Sequence, residues 1–314
     1  MVLAPAIVLA ALVLSLTAYC WWVHHRINVP AVSGDMWYMR QFAFTDQPIT
    51  APYRWRPLLP WLARWFGFNT VTFTANALTP FVIFYYAGAG WVGFCCALIF
   101  IGNAHIFQFN IKAPEYAEGL GHFLFASTIF AMSLGHWSAY PLALLCAMTR
   151  ETITAALGLI CVFINPLIMV PLAVGSVIAW FARTEDKDNR HPLIEGTYVG
   201  TVTRWARTKG WRALHFAHTI LPLRATPFAV PLMWGGVNDF ARLGVLGFIP
   251  IWLLALPASG QSRIICYGYV LVVPFLAAIP LGWLAAVTML CCFWPVDWQV
   301  FDESGGDSTF AVVR

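Results

Sequence analysis

The sequence predicts an all-α, polytopic transmembrane helix bundle, and three observations predict it. Hydrophobic residues make up 60% of the 314 and charged residues only 10%, with a mean hydropathy of +0.70, where ordinary soluble domains carry roughly a quarter charged residues. The apolar residues fall in long runs, and a helix needs about 20 such residues to cross the hydrocarbon of a bilayer. The polar residues are confined to 24–66, "NIKAPEYAEG" at 110–119, "TRET" at 149–152, 183–226 and an acidic tail at 295–314. With no internal repeat and no Gly/Ser linker, 1–314 reads as a single integral membrane domain.

In chain order, the first apolar run, from Val2 to about Trp22, has no basic region before it and no small-residue cleavage site, so a retained helix is expected. Further runs cover Val71 to Ala87, Gly90 to Phe109, Glu118 to Leu134 and a short Ser138 to Met148. The stretch from Thr152 to Phe181 is interrupted by Asn165-Pro166, which favours two short helices over one long one. Pro227 to Met233 reads as a short or re-entrant piece, Leu243 to Leu256 as another span, and Ile264 to Trp294 as one or two more. About eight to ten membrane helices are expected on this basis.

A net charge of +4 and a pI near 8.7 are too mild to suggest nucleic acid, and membrane lipids and phosphates are the expected partners of the basic loops. The eight cysteines lie within or beside apolar runs, without metal-site spacing, and read as small packing residues. Orientation is contested within the sequence. Arg26, Arg40, Arg54, Arg56 and Arg64 follow the first helix, so the positive-inside rule places 24–66 in the cytoplasm. Arginines held by a bound phosphate would escape that rule.

The segment "SGDMWYMRQFAFTDQPITAPYRWRPLLPWLARW", residues 33–65, holds most of the candidate chemistry. Pro30 and Gly34 end the first helix, and Asp35 to Arg40 alternates charge with aromatics, as a helix on a membrane surface does. Asp35 then sits at the water–lipid boundary, where partial desolvation raises a carboxyl pKa and suits it to general-base work. Capping of that helix by Ser33 or Asp35 is the alternative. In "PYRWRPLLPWLARW", Arg54 and Arg56 share one face if the piece is extended, with Trp55 opposite, and their forked guanidiniums suit bidentate phosphate binding; an Arg and aromatic belt on lipid headgroups is the alternative. Arg150 and Glu151 either reach the interface or line a polar cavity. Being neighbours on a helix, about 100° apart, they point to different partners. Asn103, His105 and His122 read as interhelical hydrogen-bonding residues. In 183–226, "RWARTKGWRALHFAH" is a basic and aromatic surface helix, either a cytoplasmic loop on anionic lipid or a wall of a lipid-phosphate site. His215 and His218 lack further ligands close by, so no metal site is expected there.

Taken in order, the opening helix, "SGDMWYM", "PYRWRPLLPWLA" and "LALLCAMTRETI" resemble the GT-C class of polytopic glycosyltransferases, over residues 1–165. The likeness is closest to bacterial members related to dolichyl-phosphate-mannose or polyprenyl-phosphate-sugar dependent enzymes. The resemblance implies a multi-pass protein of the cell (cytoplasmic/inner) membrane that takes a sugar from a polyprenyl-phosphate-linked donor to an extracytoplasmic acceptor. It implies Asp35 as catalytic base, and it places the Arg-Glu pair of the family on Arg150 and Glu151. Glu115 falls where many relatives have a second acidic residue, commonly aspartate. The chain is shorter than many relatives, which carry a soluble C-terminal domain. Such a transfer needs a base and cations around the departing phosphate. Asp35 is the first choice of base, with Glu115 and Asp46 behind it. Arg54, Arg56 and Arg150 would hold the phosphate, with Tyr38, Arg40, Tyr53, Glu151 and His122 in support. No cofactor is expected, and a need for a divalent metal is left open. A transporter or flippase for a polyprenyl-linked or anionic lipid, or a noncatalytic assembly subunit, would use the same arginines without chemistry.

Overall fold

The computed structural model describes residues 2–26, 34–49, 53–103, 110, 114–184, 223–255 and 266–292. Among these residues there are thirteen α-helices and no strand. In chain order they are α1 (Leu3–Arg26), α2 (Gly34–Phe44), α3 (Leu58–Phe66), α4 (Phe68–Tyr86), α5 (Gly90–Ile101), α6 (Glu118–Ser133), α7 (Ala139–Ala147), α8 (Glu151–Ile164), α9 (Met169–Phe181), α10 (Ala229–Leu232), α11 (Asp239–Ala255), α12 (Gly268–Ala277) and α13 (Leu281–Cys292). The Asp35 side chain, His105, most of the basic loop with His215 and His218, and the acidic tail lie outside the described residues.

Local chemistry explains the breaks. Gly67, at φ +78°, turns the chain between α3 and α4, in a region of φ that costs a side chain dearly and glycine little. Asn165 ends α8, and its side-chain oxygen accepts from the Leu167 N–H while Pro166 opens a 3-10 turn that leads into α9. This is the division into two short helices that Asn165-Pro166 predicts. The run from 264 to 294 likewise forms two helices, α12 and α13.

The all-α class stands, but the expected set of spans does not appear. Among the described residues no helix is long and apolar enough to cross a membrane. The longest, α1, has 24 residues and finishes on His24-His25-Arg26; α4 has 19, with Asn69 and Asn76 along it, and α11 has 17. Beyond α1, proline, glycine and asparagine cut the apolar runs into helices shorter than about 20 residues.

The helices pack as a bundle in which α4 lies against α5 and α6, α6 against α7, α7 against α9, and α8 against α11. Leu59, Phe125, Ile129, Ile153, Leu157 and Ile160 are fully buried in the larger core. Phe100, Val273, Phe275 and Leu276 centre a second one, shared by α5 and α12. The α7 and α9 helices meet closely at Gly175, where an added Cβ would lie 2.5 Å from the Leu144 carbonyl oxygen and 2.9 Å from Ala147 Cβ. The outer surface is strongly apolar: Leu14, Trp65, Val170, Phe181, Leu232 and Trp283 are all exposed. Five of the described charged residues, by contrast, are buried, Arg54, Arg56, Glu115, Glu118 and Arg150, while others such as Arg40, Asp46 and Arg64 are exposed.

Candidate functional site

Those buried charges, with Arg40 and Glu151 that pair with them, come from four segments that the packing draws together. Met36, Met39, Phe42 and Ala43 are buried, a spacing that places one face of α2 against the bundle and leaves Arg40 free to reach across. Its Nε donates to Glu115 Oε1 at 2.8 Å, and its Nη2 donates to the same oxygen. Glu115 is buried, and its Oε2 has no hydrogen-bond partner among the described residues.

Residues 53–55 form a 3-10 turn, closed by a 3.1 Å hydrogen bond from the Arg56 N–H to the Tyr53 carbonyl. The expected extended strip with both arginines on one face is therefore replaced by a turn that sends them to different surroundings. The Arg54 guanidinium lies over the Trp180 ring at 4.8 Å and the Trp55 ring at 5.8 Å, and those rings stack on each other at 5.3 Å. Leu58 N–H donates to the Met148 carbonyl at 3.1 Å, which brings the turn beside the start of α8. There Arg56 Nε donates to Glu151 Oε2 at 2.9 Å while Nη2 donates to Glu151 Oε1. Two parallel charge-assisted bonds of this kind fix the guanidinium plane, and the Tyr53 ring lies under it at 5.4 Å. Tyr38 in turn stacks on Tyr53 at 4.8 Å.

Arg150, in extended backbone, precedes the first residue of α8. Its Nη1 donates to Glu118 Oε1 across 32 residues of sequence, so Arg150 and Glu151 each take a hydrogen-bonding partner from another element. Burial raises the pKa of the Glu151 carboxyl, but the Arg56 guanidinium and its hydrogen bonds, and then the charge of Arg150, outweigh this and leave it below its ordinary value.

His122 lies one turn further along α6. Its Nδ1 is 2.7 Å from the Glu118 carbonyl oxygen; a carbonyl can only accept, so Nδ1 carries the proton and Nε2 keeps the lone pair. That Nε2 is buried without a partner among the described residues. Tyr267 stacks on the imidazole at 4.2 Å, an approach that Gly121 permits, since a Cβ there would lie 2.6 Å from the Tyr267 hydroxyl oxygen.

The sequence-derived candidates thus separate. Arg40, Glu115, Arg56, Glu151, Arg150 and His122 belong to the buried polar region, with Tyr38 and Tyr53 beside it, and Arg54 sits on its aromatic flank. Asp46 is exposed and 3.4 Å from Arg183, at the end of α9. Asp35 is in the first turn of α2; Arg40 lies five residues on, about 7.5 Å along the axis. Three members escaped the sequence reading: Glu118, Tyr267, and the Asn76–Asn110 pair, whose side chains hydrogen-bond at 3.0 Å. Glu118 had a signal, three positions after Glu115 in "PEYAEG", but it reads there as the first residue of an apolar run. Among the described residues no group of three or more His, Cys, Asp or Glu is placed to hold a metal ion. No protein-family model, curated protein or solved structure matches the chain.

Proposed function

We propose that the protein is a multi-pass glycosyltransferase of the cytoplasmic membrane, of the GT-C type, which moves a sugar from a polyprenyl-phosphate donor to an extracytoplasmic acceptor. The observation that carries this reading is the inverted distribution of polarity. Large apolar side chains face outward while Arg54, Arg56, Arg150, Glu115 and Glu118 are buried. Water would favour the opposite arrangement, whereas a lipid surround accepts an apolar exterior and reserves interior charges for function.

In the proposed reaction Asp35 takes the proton of the acceptor hydroxyl. The acceptor oxygen bonds to the anomeric carbon as the bond from that carbon to the phosphate oxygen breaks, and the lipid phosphate leaves with the electron pair. Arg56, Arg150 and Arg54 would stabilise that leaving group. It departs as an anion, so no proton-donating acid is needed. The test is incubation of purified protein with radiolabelled polyprenyl-phosphate sugars. Label transferred to added glycan, lipid or protein acceptors supports the reading; label remaining on the lipid with every acceptor removes it.

A second reading, a transporter or noncatalytic lipid-binding subunit, is favoured by one observation. Arg40, Arg56 and Arg150 each already have a glutamate counter-ion, as a structural or carrier role would have it. Under that reading the labelled donor binds and is recovered unchanged.

A further inference from the structure

The nine residues of α3, LLPWLARWF, divide into two faces. Leu58, Leu59, Pro60 and Ala63 are buried and fix the helix on α2 and α4. Trp61, Arg64 and Trp65, at spacings of three and four that place them on one side of a helix, are exposed, and Trp65 keeps 82% of its surface open. A surface helix in water turns a polar, charged face outward; α3 turns out two indoles and one guanidinium. That guanidinium has no counter-charge on its own helix, which contains no acidic residue. Arg40, Arg183 and Arg242 each face a carboxylate, whereas Arg64 forms no ion pair with any described residue. A belt on lipid headgroups is one role the sequence offers the arginines of 52–65. Arg54 and Arg56 are buried, so within that segment the role falls to Arg64.

We propose that the outward face of α3 is a docking surface for anionic phospholipid, on which Arg64 takes the headgroup phosphate and Trp61 and Trp65 flank it. The inference rests on the membrane location in the reading above and not on sugar transfer. Indoles favour the bilayer interface because the ring is apolar while its N–H needs an acceptor, and the oxygens of lipid esters and phosphates are acceptors at that level. An arginine beside them lays its stem along the apolar layer and keeps its charge among the phosphates. The position fits: Gly67 alone joins α3 to α4, an apolar helix of 19 residues, so the face lies at one end of α4, where headgroups surround a helix that crosses the hydrocarbon. Charge decides the class of lipid. In a zwitterionic headgroup an ammonium already balances the phosphate, whereas an anionic headgroup supplies the counter-charge that Arg64 lacks among the described residues. The apolar exterior elsewhere on the bundle, at Leu14, Val170 and Trp283, favours lipid over a partner protein, because one surround accounts for all of it.

The experiment titrates the full chain, purified in detergent, with short-chain phosphatidylglycerol and phosphatidylcholine, read by calorimetry, and in parallel follows flotation of the chain with vesicles of each lipid. The wild type is expected to prefer phosphatidylglycerol. Arg64→Ala should weaken phosphatidylglycerol binding about fivefold, the change that one arginine makes at an anionic surface, and leave phosphatidylcholine binding as it was. Arg64→Lys should keep most of the preference and Arg64→Glu should lose more than Arg64→Ala, while Trp61→Ala with Trp65→Ala should weaken both lipids alike. The three side chains are exposed, so the unfolding temperature in detergent alone should stay that of the wild type. No preference in the wild type, or equal phosphatidylglycerol binding by Arg64→Ala, overturns the surface. Light scattering covers the other occupant: tryptophan variants that dissociate an oligomer and bind both lipids normally would assign the face to a second copy of the chain and overturn the lipid. A chain that floats with neither vesicle removes the membrane location and this surface with it, whereas flotation with unchanged binding by Arg64→Ala removes the surface alone.

Discussion

At the scale of single residues, the site turns on how each charge is compensated. Asp35→Asn keeps size and capping ability but cannot accept a proton. Transfer is therefore expected to fall about 100-fold or more with donor binding intact, measured as initial rates alongside donor affinity; near-normal transfer would pass the role of base to Asp46 or Glu115. The Arg150–Glu118 pair is buried on both sides. Truncating Glu118 to Ala breaks this buried ion pair and should cost about 3–5 kcal/mol, read from denaturation midpoints, and the reversed pair Glu118→Arg with Arg150→Glu should recover part of the loss. The pH dependence of the Arg56–Glu151 pair has a definite sign. The folded Glu151 pKa lies below its unfolded value, so the pair's contribution is present above about pH 4.3 and is lost as pH falls through the lower, folded value. Acid should thus lower the unfolding temperature of the wild type more than that of Glu151→Gln. In the sequence these residues were legible as types and not as partners. Arg56 and Glu151 are 95 positions apart, and no local pattern encodes a meeting that depends on how Leu58 reaches Met148.

At the scale of elements, punctuation was easier to read than pairing. Asn165-Pro166 announced two helices because a proline lacks the N–H that a helix interior needs. The Asn165 side chain then accepts from Leu167 N–H at 3.3 Å. Asn165→Ala should cost about 0.5–2 kcal/mol, the usual loss for a capping side chain. The 52–65 segment departs from the extended strip that would put Arg54 and Arg56 on one face: Tyr53, Arg54 and Trp55 close into a 3-10 turn, with tertiary stacking on Tyr38 and Trp180. Gly175 was silent in sequence, since only the contact with α7 gives it meaning. Gly175→Leu forces α9 away from the Leu144 carbonyl and should cost about 1–3 kcal/mol or more, seen as a lowered unfolding temperature, whereas Gly235→Ala, with nothing within 4 Å of its added Cβ, should change little.

At the scale of the molecule, one contact restricts the orientation that composition leaves contested. The Ile49 N–H donates to the Thr184 carbonyl at 3.0 Å, and Arg183 Nε donates to the Gln47 carbonyl at 3.2 Å while Nη1 faces Asp46. The first polar loop and the start of the second, basic loop therefore lie on one side of the bundle. The positive-inside rule would place both in the cytoplasm, whereas donor consumption as proposed requires the first outside, and the fold then carries the second with it. Single cysteines at Thr45, Gln47 and Thr184, all exposed, distinguish these arrangements. Six native cysteines, Cys95, Cys96, Cys146, Cys161, Cys266 and Cys291, are buried, so replacing Cys20 and Cys292 by Ser is sufficient background. In intact cells an impermeant maleimide is expected to label all three introduced cysteines. Labelling of all three only after lysis would set both loops in the cytoplasm and remove the extracytoplasmic transferase. Opposite labelling of Gln47 and Thr184 would contradict the contact itself, because groups 3 Å apart cannot lie on two sides of a bilayer whose hydrocarbon is about 30 Å thick.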